Sequence, residues 1–159
     1  MGNLIVQAHP IEESFNAALL DAVISRLDVS AYELKRLGQG DTLTLSCFDG
    51  ITSVTMVYPT WWGSPPAMLL AQLETVIGPW VDGAEPAHTS PLRSVQRLTA
   101  VTSHGSSRFV NRLQGEPGLQ LWKHAVLPLC ERGAQFEWKS LYKMDRISND
   151  DRQAFLTQI

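Results

Sequence analysis

The sequence predicts an α/β domain in which a doubly wound parallel sheet carries helices on both faces. Short β-branched and apolar runs alternate along the chain with segments of helical periodicity, which is the order that crossover connections between parallel strands require. The first run, Leu4–Ala8, is apolar almost throughout, as is typical of a strand covered on both faces. The chain has 159 residues, which suits one domain spanning residues 1–159.

The first third of the chain predicts a strand, a helix and a second strand. The first strand ends at the turn His9-Pro10, and Ser14 is placed to cap a helix that runs to about Leu27. Ala31–Leu37 alternates in part, so we expect a strand at an edge of the sheet. Gly38–Ser53 lacks a helical pattern, which predicts a short or irregular crossover.

The middle of the chain predicts a strand, a loop and a helix. The run Val54–Tyr58 is expected to stop at Pro59, because proline removes a backbone donor from the ladder. Pro65-Pro66 leads into apolar residues at helical spacing, which continue until Gly78-Pro79 is expected to end the helix.

The last third predicts two strands, each followed by a helix. Val95–Thr102 is the next strand, and after a loop Leu121–Leu129 has helical spacing and ends near Cys130 to Gly133. Gln135–Tyr142 alternates as a final strand. Ser148, three residues before an aspartate, predicts the capped start of a helix that continues to the chain end.

Composition excludes several classes of function. The net charge is −3 and no basic block is present, which argues against nucleic acid as a partner. The apolar runs are too short to span a bilayer, and residues 1–3 lead directly into a strand without a signal segment, so we expect a cytoplasmic protein without membrane insertion. Cys47 and Cys130 are far apart and lack metal-ligand spacing, which predicts packed, reduced thiols and no metal site.

Ligands of doubly wound sheets bind beyond the carboxyl ends of the strands. Three predicted loops meet there: His9–Asn16, Pro59–Ser64 and Ser103–Ser107. In the first loop, the backbone N–H groups at Ser14, Phe15 and Asn16 form a helix N-terminus beside His9, which favours a phosphate. Ser14 capping its own helix, and His9 bonding within a turn, are equally good interpretations.

The second loop holds two adjacent tryptophans, Trp61 and Trp62. They are candidates for the wall of a flat ligand, although for an arbitrary pair we favour one indole in the helix–sheet seam and the other on an apolar rim. The chain has neither GxxxxGK[ST] nor GxGxxG after the first strand, which argues against P-loop and Rossmann nucleotide sites. A flavin suits better, with backbone N–H groups around Trp61, Trp62 and Gly105 along the edge of its ring.

Two motifs in this order resemble the flavodoxin-fold NAD(P)H:quinone oxidoreductase family. They are Ala8-His9-Pro10 followed by Ser14–Leu19, and Tyr58–Trp62. The likeness covers most of the chain, because it extends through Val101–Ser107, Gln114–Gly118 and Trp138–Asp145.

The resemblance implies a five-stranded sheet of order 2-1-3-4-5 and a homodimeric flavoprotein, with FMN slightly favoured over FAD. In that family NAD(P)H donates a hydride to the flavin and leaves, and a quinone-like acceptor then takes two electrons in the same slot, a ping-pong mechanism. Residues matched to the motifs would hold the flavin phosphate (His9, Ser14, Phe15, Asn16), border the ring (Pro59, Thr60, Trp61, Trp62) and follow its pyrimidine edge (Ser103, His104, Gly105).

His104 is the candidate catalytic residue, as a hydrogen-bond donor to the reduced ring or to a quinone oxygen. The alternative, a loop histidine satisfied by Ser106 or solvent, is equally good. Asn111 and Glu116 are placed to touch substrate but are not assigned a role, and we expect structural roles for the remaining histidines, His88 and His124.

Two departures from the family pattern bear on function. The segment after the second strand is short, which favours FMN slightly, and the sequence SHGSS stands where many members have two glycines. One alternative is a flavodoxin-type electron carrier, which the AHP segment and the mild charge disfavour. The other is a regulatory ancillary subunit of a potassium-efflux system, which the sequence does not exclude.

Overall fold

The computed structural model describes residues 2–27 and 32–159. Five parallel strands form one sheet of order β2-β1-β3-β4-β5, which confirms the predicted flavodoxin-like topology. The strands are β1 (Gly2–Gln7), β2 (Glu33–Arg36), β3 (Ile51–Thr60), β4 (Arg97–His104) and β5 (Gln135–Leu141). The α-helices are α1 (Phe15–Ser25), α2 (Ala67–Val81), α3 (Arg108–Leu113), α4 (Pro117–Gln120) and α5 (Asn149–Leu156).

The edge strand and the crossover that follows it agree with the sequence. β2 pairs with β1 at the edge of the sheet, and Ala31, the first residue of the predicted strand, lies outside the described residues. From β2 to β3 the chain forms only two short 3-10 turns, Leu37–Gln39 and Leu45–Phe48. Cys47 and Phe48 of the second turn are buried in the core, so this irregular crossover still covers the sheet.

Pro59 does not end β3 as predicted. The strand continues to Thr60, and Pro59 pairs with Ser103 of β4. The carbonyl oxygen of Val57 accepts a hydrogen bond from Ala8 N, on the side of β3 that faces β1. Backbone groups two residues apart in a strand point to the same side, so the nitrogen of Pro59 also points toward β1. Because β1 has already ended there, the donor that proline lacks has no neighbouring strand to bond.

Gly78-Pro79 does not end α2 either. The helix continues to Val81, and its last turn is closed by the N–H of Asp82, which donates to Gly78 O at 2.9 Å. Trp80 packs against the core, and its Nε1 donates to Thr89 Oγ1 at 2.9 Å. Tertiary contacts of Trp80 therefore offset the helix bond that Pro79 loses.

The region after β4 is more helical than predicted. β4 runs to His104 rather than Thr102, and α3 occupies residues 108–113, where a loop is expected. The next helical segment begins at Pro117 rather than Leu121 and continues as a π-helical turn, Leu121–Val126. Ser107 caps α3 and proline is favourable at a first helical position, so both starts have ordinary local causes. The last helix, α5, ends at Leu156 instead of reaching the chain end.

Helices pack on both faces of the sheet, and the two faces differ in polarity. The face under α2 and the π-helical turn is apolar, with Leu98, Met56 and Trp122 fully buried. The opposite face packs on α1 and α5, and its first row across the sheet is polar: Asn3, Ser53, Arg97 and Gln135. These residues line a cavity of about 350 Å³. This polar end lies opposite the predicted ligand loops.

Both thiols are buried and form no disulfide. Burial raises the pKa of Cys130 to about 11, so the protonated thiol persists at neutral pH. None of the helices in residues 2–27 and 32–159 has the length and apolar character needed to cross a membrane.

Candidate flavin-binding site

The three loops predicted from the sequence are neighbours at the carboxyl edge of the sheet. The rings of His9, after β1, and Trp61, after β3, have centroids 5.7 Å apart. Thr60 pairs with His104 at the end of β4, and Gly63 lines a small cavity together with His104. The sheet therefore brings the ends of β1, β3 and β4 to one place, as the topological argument predicts.

The start of α1 combines a capped helix with free backbone donors. Ser14 Oγ accepts a hydrogen bond from Ala17 N at 3.3 Å and donates to Ile11 O at 3.2 Å. The first intrahelical donors are the N–H groups of residues 17 and 18, which leaves those of Phe15 and Asn16 without a helical acceptor. Ser14 thus caps its helix and also holds the turn in which two amides remain available to an anion.

His9 is held by a bond within the same turn. His9 Nδ1 lies 2.9 Å from Ile11 O and 3.1 Å from Ile11 N, so it donates to the carbonyl or accepts from the amide according to the tautomer of the ring. The turn interpretation therefore holds, and Nε2 takes no part in this bond on the ring that lies beside Trp61.

Asn16 offers the candidate site its backbone N–H, and within residues 2–27 and 32–159 its buried side chain keeps one unpaired donor. The side chain is buried, and its Oδ1 accepts a bond from Gln7 Nε2 at 3.4 Å. Its Nδ2 has no partner among the residues that the structure describes. A buried amide donor of this kind needs an acceptor, which a ligand or water can supply.

We expect Ser14→Ala to lower the free energy of unfolding by about 1 kcal/mol, because α1 loses its cap, and to weaken binding of the flavin that the sequence resemblance implies, tested with FMN. Ser148→Ala is the matched control, since Ser148 caps α5 in the same way, with Asp151 N donating to its Oγ at 3.1 Å. Chemical denaturation and fluorescence titration with FMN measure both effects. Equal loss of FMN affinity in the two variants would contradict a binding role for the α1 turn.

Trp61 and Trp62 form a tight turn that exposes the second indole. Trp61 N donates to Ser64 O and Ser64 N donates to Trp61 O, each at 2.9 Å. Trp62 and Gly63 between them have φ of 54° and 79°, as in a type I′ turn. Trp62 is fully exposed and Trp61 is 40 % exposed, so neither plugs the helix–sheet seam. A tryptophan held outside the core in a left-handed conformation is a better candidate for a ligand wall than for packing.

His104 ends β4 as a buried ring among aromatic side chains. It is 5 % exposed, stacks on Tyr142 with centroids 4.6 Å apart, and lies 6.1 Å from the ring of Trp138. Burial lowers the pKa of His104 to about 4, so the ring is neutral at pH 7. Within residues 2–27 and 32–159 neither ring nitrogen has a hydrogen-bond partner. Ser106 is not its partner, because Ser106 Oγ accepts from Asn111 Nδ2 at 2.8 Å.

The remaining predicted residues differ in how they can reach a ligand. Pro59 and Ser103 are buried within paired strands, which leaves little of their side chains to a ligand. Thr60 is half-buried, and its Oγ1 bonds Thr102 Oγ1 at 2.8 Å. Gly105 is exposed at the start of the loop.

Sequence reasoning gave no role to two residues that the structure places beside His104. They are Tyr142, which stacks on it, and Glu116, whose Oε1 accepts from the Tyr142 hydroxyl at 3.5 Å. Glu116 has φ of 46°, a conformation that only the folded structure reveals. The Gln114–Gly118 motif contains Glu116, but its spacing does not predict contact with the end of β5.

Solved structures of similar fold cover nearly the whole chain at low sequence identity. Smu.1420 from Streptococcus mutans is 19% identical, with a TM-score of 0.78 over 99% of this chain and 96% of its own. An NAD(P)H:quinone oxidoreductase from Methanothermobacter marburgensis is 17% identical, with a TM-score of 0.69 over 99% and 92% of the two chains. An FMN-dependent NADH-azoreductase from Bacillus anthracis, solved with FMN, is 11% identical, with a TM-score of 0.69 over 99% and 94%.

Comparison with protein-family models gives no match, and comparison with curated protein sequences gives none either. The structural neighbours include quinone reductases, which confirms the resemblance noted from the two sequence motifs. At these identities the comparisons establish the flavodoxin-like fold.

Proposed function

We propose that this protein is a flavin-dependent oxidoreductase that takes a hydride from NAD(P)H and passes two electrons to a quinone or similar small acceptor. The observation that carries the proposal is the convergence, at the carboxyl edge of the sheet, of the α1 turn, the exposed tryptophan turn and the end of β4. A phosphate donor set, an aromatic wall and polar groups are the three parts that a flavin site needs.

The residues present fit a flavin. The N–H groups of Phe15 and Asn16 offer two donors to a phosphate at a helix N-terminus, where the helix dipole also favours an anion. Trp61 and Trp62 offer flat apolar surface beside His9. The short crossover after β2 favours FMN over FAD, and the azoreductase of similar fold is named for its dependence on FMN.

The flavin, when bound, supplies the hydride chemistry, and the protein supplies binding, orientation and exclusion of water. In the proposed mechanism, the α1 amides would hold the phosphate and the tryptophan turn would offer its indoles to the ring. His104 is neutral at pH 7, so it can donate one hydrogen bond and accept another at the polar edge of the ring or at an acceptor oxygen. Donor and acceptor use one slot in turn, a ping-pong mechanism. We place this activity in the cytoplasm.

We further propose a homodimer. Helix α3 leaves Phe109 74 % exposed and Leu113 79 % exposed, directly after the loop that follows β4. Large exposed apolar side chains on one short helix favour a protein contact. A second copy of this chain would bury the same side chains on both protomers without any other protein. Light scattering tests the mass in solution. A monomer would contradict the proposal, as would a dimer that Phe109→Asp leaves intact.

Absorbance spectroscopy of the purified protein with added FMN tests flavin binding. We expect a bound flavin spectrum, and oxidation of NADH or NADPH that depends on menadione or benzoquinone. A protein that stays colourless with both FMN and FAD would refute the proposal. Flavin binding without NAD(P)H oxidation would instead favour an electron carrier or a regulatory subunit.

Trp62→Ala should weaken FMN binding roughly two- to tenfold, the loss expected for one aromatic contact. Its thermal stability should stay nearly unchanged, because the indole is fully exposed. The left-handed backbone conformation at residue 62 is as strained for alanine as it is for tryptophan. Fluorescence titration and a melting curve measure the two effects. Unchanged affinity combined with a lower Tm would assign Trp62 to packing.

A further inference from the structure

A small cavity lies beside His104 on the side of the sheet that faces α4. Its volume is about 10 Å³, and Glu116, Trp138 and Tyr142 line it together with His104. A volume of this size is about that of one water molecule measured with the same probe, and the lining is mostly apolar surface with a few buried polar atoms. The cavity therefore has the dimensions of a site for one water.

Three buried nitrogen atoms belong to residues that line this cavity. They are both ring nitrogens of His104 and Nε1 of Trp138, none of which has a partner in the described part of the chain. Asn111 is also close, but its amide donates to Ser106 Oγ at 2.8 Å and to Ser107 O at 2.9 Å. Buried nitrogens normally find partners, so a polar molecule in the cavity is the physical expectation.

Glu116 is the charged acceptor in the lining of the cavity, which also includes the Asn111 amide. The backbone N–H of Glu116 donates to Asn111 O at 3.0 Å, and the Tyr142 hydroxyl donates to the Glu116 carboxylate at 3.5 Å. Tyr142 in turn stacks on the ring of His104. Burial lowers the pKa of His104, and it is opposed first by the nearby Asn111 side chain and then by the negative charge of Glu116, both of which raise that pKa. Glu116 and Tyr142 are the titratable groups that line the cavity with His104, among the residues described.

We propose that one water molecule in this cavity links the Glu116 carboxylate to His104, and that Glu116 thereby fixes which ring nitrogen of His104 carries the proton. A carboxylate only accepts hydrogen bonds, so the water donates one hydrogen to Glu116. The negative charge favours the tautomer whose N–H points toward it, and the oxygen of the polarised water accepts from that N–H. The ring nitrogen nearer Glu116 is then protonated, and the other nitrogen is a bare acceptor.

The consequence for ligand recognition rests on the proposed function. A bare nitrogen on His104 makes the residue an acceptor toward the ligand, so that of the two roles open to a neutral ring the donor role is taken by the water. It selects ligand groups that donate, such as the imide N–H of a flavin or the O–H of a hydroquinone. Glu116 acts through His104, so it is a positioning residue. The protonation state itself is a property of the flavin-free protein, and it can be measured there.

Long-range ¹H–¹⁵N correlation spectra of the histidine rings in the flavin-free protein test the proposal. The chain has four histidines, and a His104→Gln spectrum assigns the signal. We expect one dominant tautomer of His104 in the wild type and a mixture in Glu116→Gln, because an amide can donate as well as accept. The pKa of His104 should fall further in that variant, because a negative charge is removed. Glu13→Gln, at an exposed site, is the matched control and should change neither.

Water itself is detected by a nuclear Overhauser effect between the Trp138 indole N–H and a long-lived water signal. Unchanged His104 ring shifts in folded Glu116→Gln would overturn the role of Glu116, and the absence of the water signal would overturn the bridge.

Tyr142→Phe is the second variant, for the case in which Glu116→Gln does not fold. It removes the hydrogen bond that holds the Glu116 carboxylate and should shift the tautomer ratio of His104 in the same direction; no shift would count against the proposal. Failure to bind flavin would leave these results standing, so the two proposals fail separately.

Discussion

Replacing Trp122 by alanine is expected to lower the free energy of unfolding by about 3–5 kcal/mol. Trp122 is fully buried on the apolar face of the sheet, in the π-helical turn after α4. Its Nε1 donates to the Tyr58 hydroxyl at 2.6 Å, so the truncation also leaves a buried hydroxyl without its partner. Small domains have total stabilities of about 5–15 kcal/mol, so we expect a large part of the protein to be unfolded under mild denaturing conditions.

Denaturant titration followed by circular dichroism measures the loss. Trp62→Ala is the matched control, because it removes the same side chain from a fully exposed position, where changes are usually within about 0.5 kcal/mol. Comparable losses in the two variants would contradict the assignment of Trp122, rather than Trp62, to the core. The Tyr58–Trp122 bond should also persist across pH, since burial raises the pKa of Tyr58 far above its usual range.

This bond matters to the candidate site as well as to stability. Tyr58 lies two residues before Thr60, where β3 ends and the tryptophan turn begins. Anchoring Tyr58 to the π-helical turn therefore fixes the position from which Trp61 and Trp62 leave the sheet. In flavin binding, we expect Trp122→Phe, which keeps an aromatic ring but loses the donor, to lie between the wild type and Trp122→Ala.

The parts of the fold that depend on local periodicity were predictable from the sequence. The apolar run of β1, the Ser14 cap of α1 and the Ser148 cap of α5 are short-range patterns, and each element forms where its pattern lies. The irregular crossover was predictable for the same reason, since its residues carry no helical pattern.

The errors concern residues whose local preference is overridden by distant parts of the chain. Pro59 remains in β3 because β1, some fifty positions earlier, has ended beside it. Pro79 remains in α2 because Trp80 is held by the core and by Thr89. Proline signals a break only where its missing donor is needed, and that depends on neighbours in space.

The candidate site was predictable in its loops but incomplete in its residues. Chain topology places the ends of β1, β3 and β4 together, which the alternation of elements already indicates. Tyr142 lies beside His104 because it directly follows β5. Glu116 is placed there by its left-handed backbone conformation and contacts Tyr142. Neither leaves a signature in sequence spacing, because Tyr142 depends on the register of β5 against β4 and Glu116 on its own backbone conformation.

Gly38→Ala is expected to weaken both folding and FMN binding. A Cβ atom at residue 38 would overlap the carbonyl oxygen of His9 and lie 2.9 Å from Pro10 Cα. These are backbone atoms, so the turn before α1 must move to make room, and overpacking of this kind costs roughly 1–3 kcal/mol or more. The displaced turn is the one that presents the N–H groups of Phe15 and Asn16, so we expect at least about a tenfold loss of FMN affinity, the effect of roughly 1.4 kcal/mol.

Gly78→Ala is the matched control, because it adds the same methyl group elsewhere in the fold. Residue 78 lies within α2, and the nearest atom to its new Cβ is at 3.4 Å, on the flexible side chain of Glu74. Alanine is the better helix former, but the ring of Pro79 crowds a Cβ on the helical residue before it, so we expect no gain in stability and an unchanged FMN affinity. Gly38→Ala protein that keeps wild-type FMN affinity despite a lowered Tm would show that the His9-Pro10 turn is structural, and the phosphate site would then have to lie elsewhere.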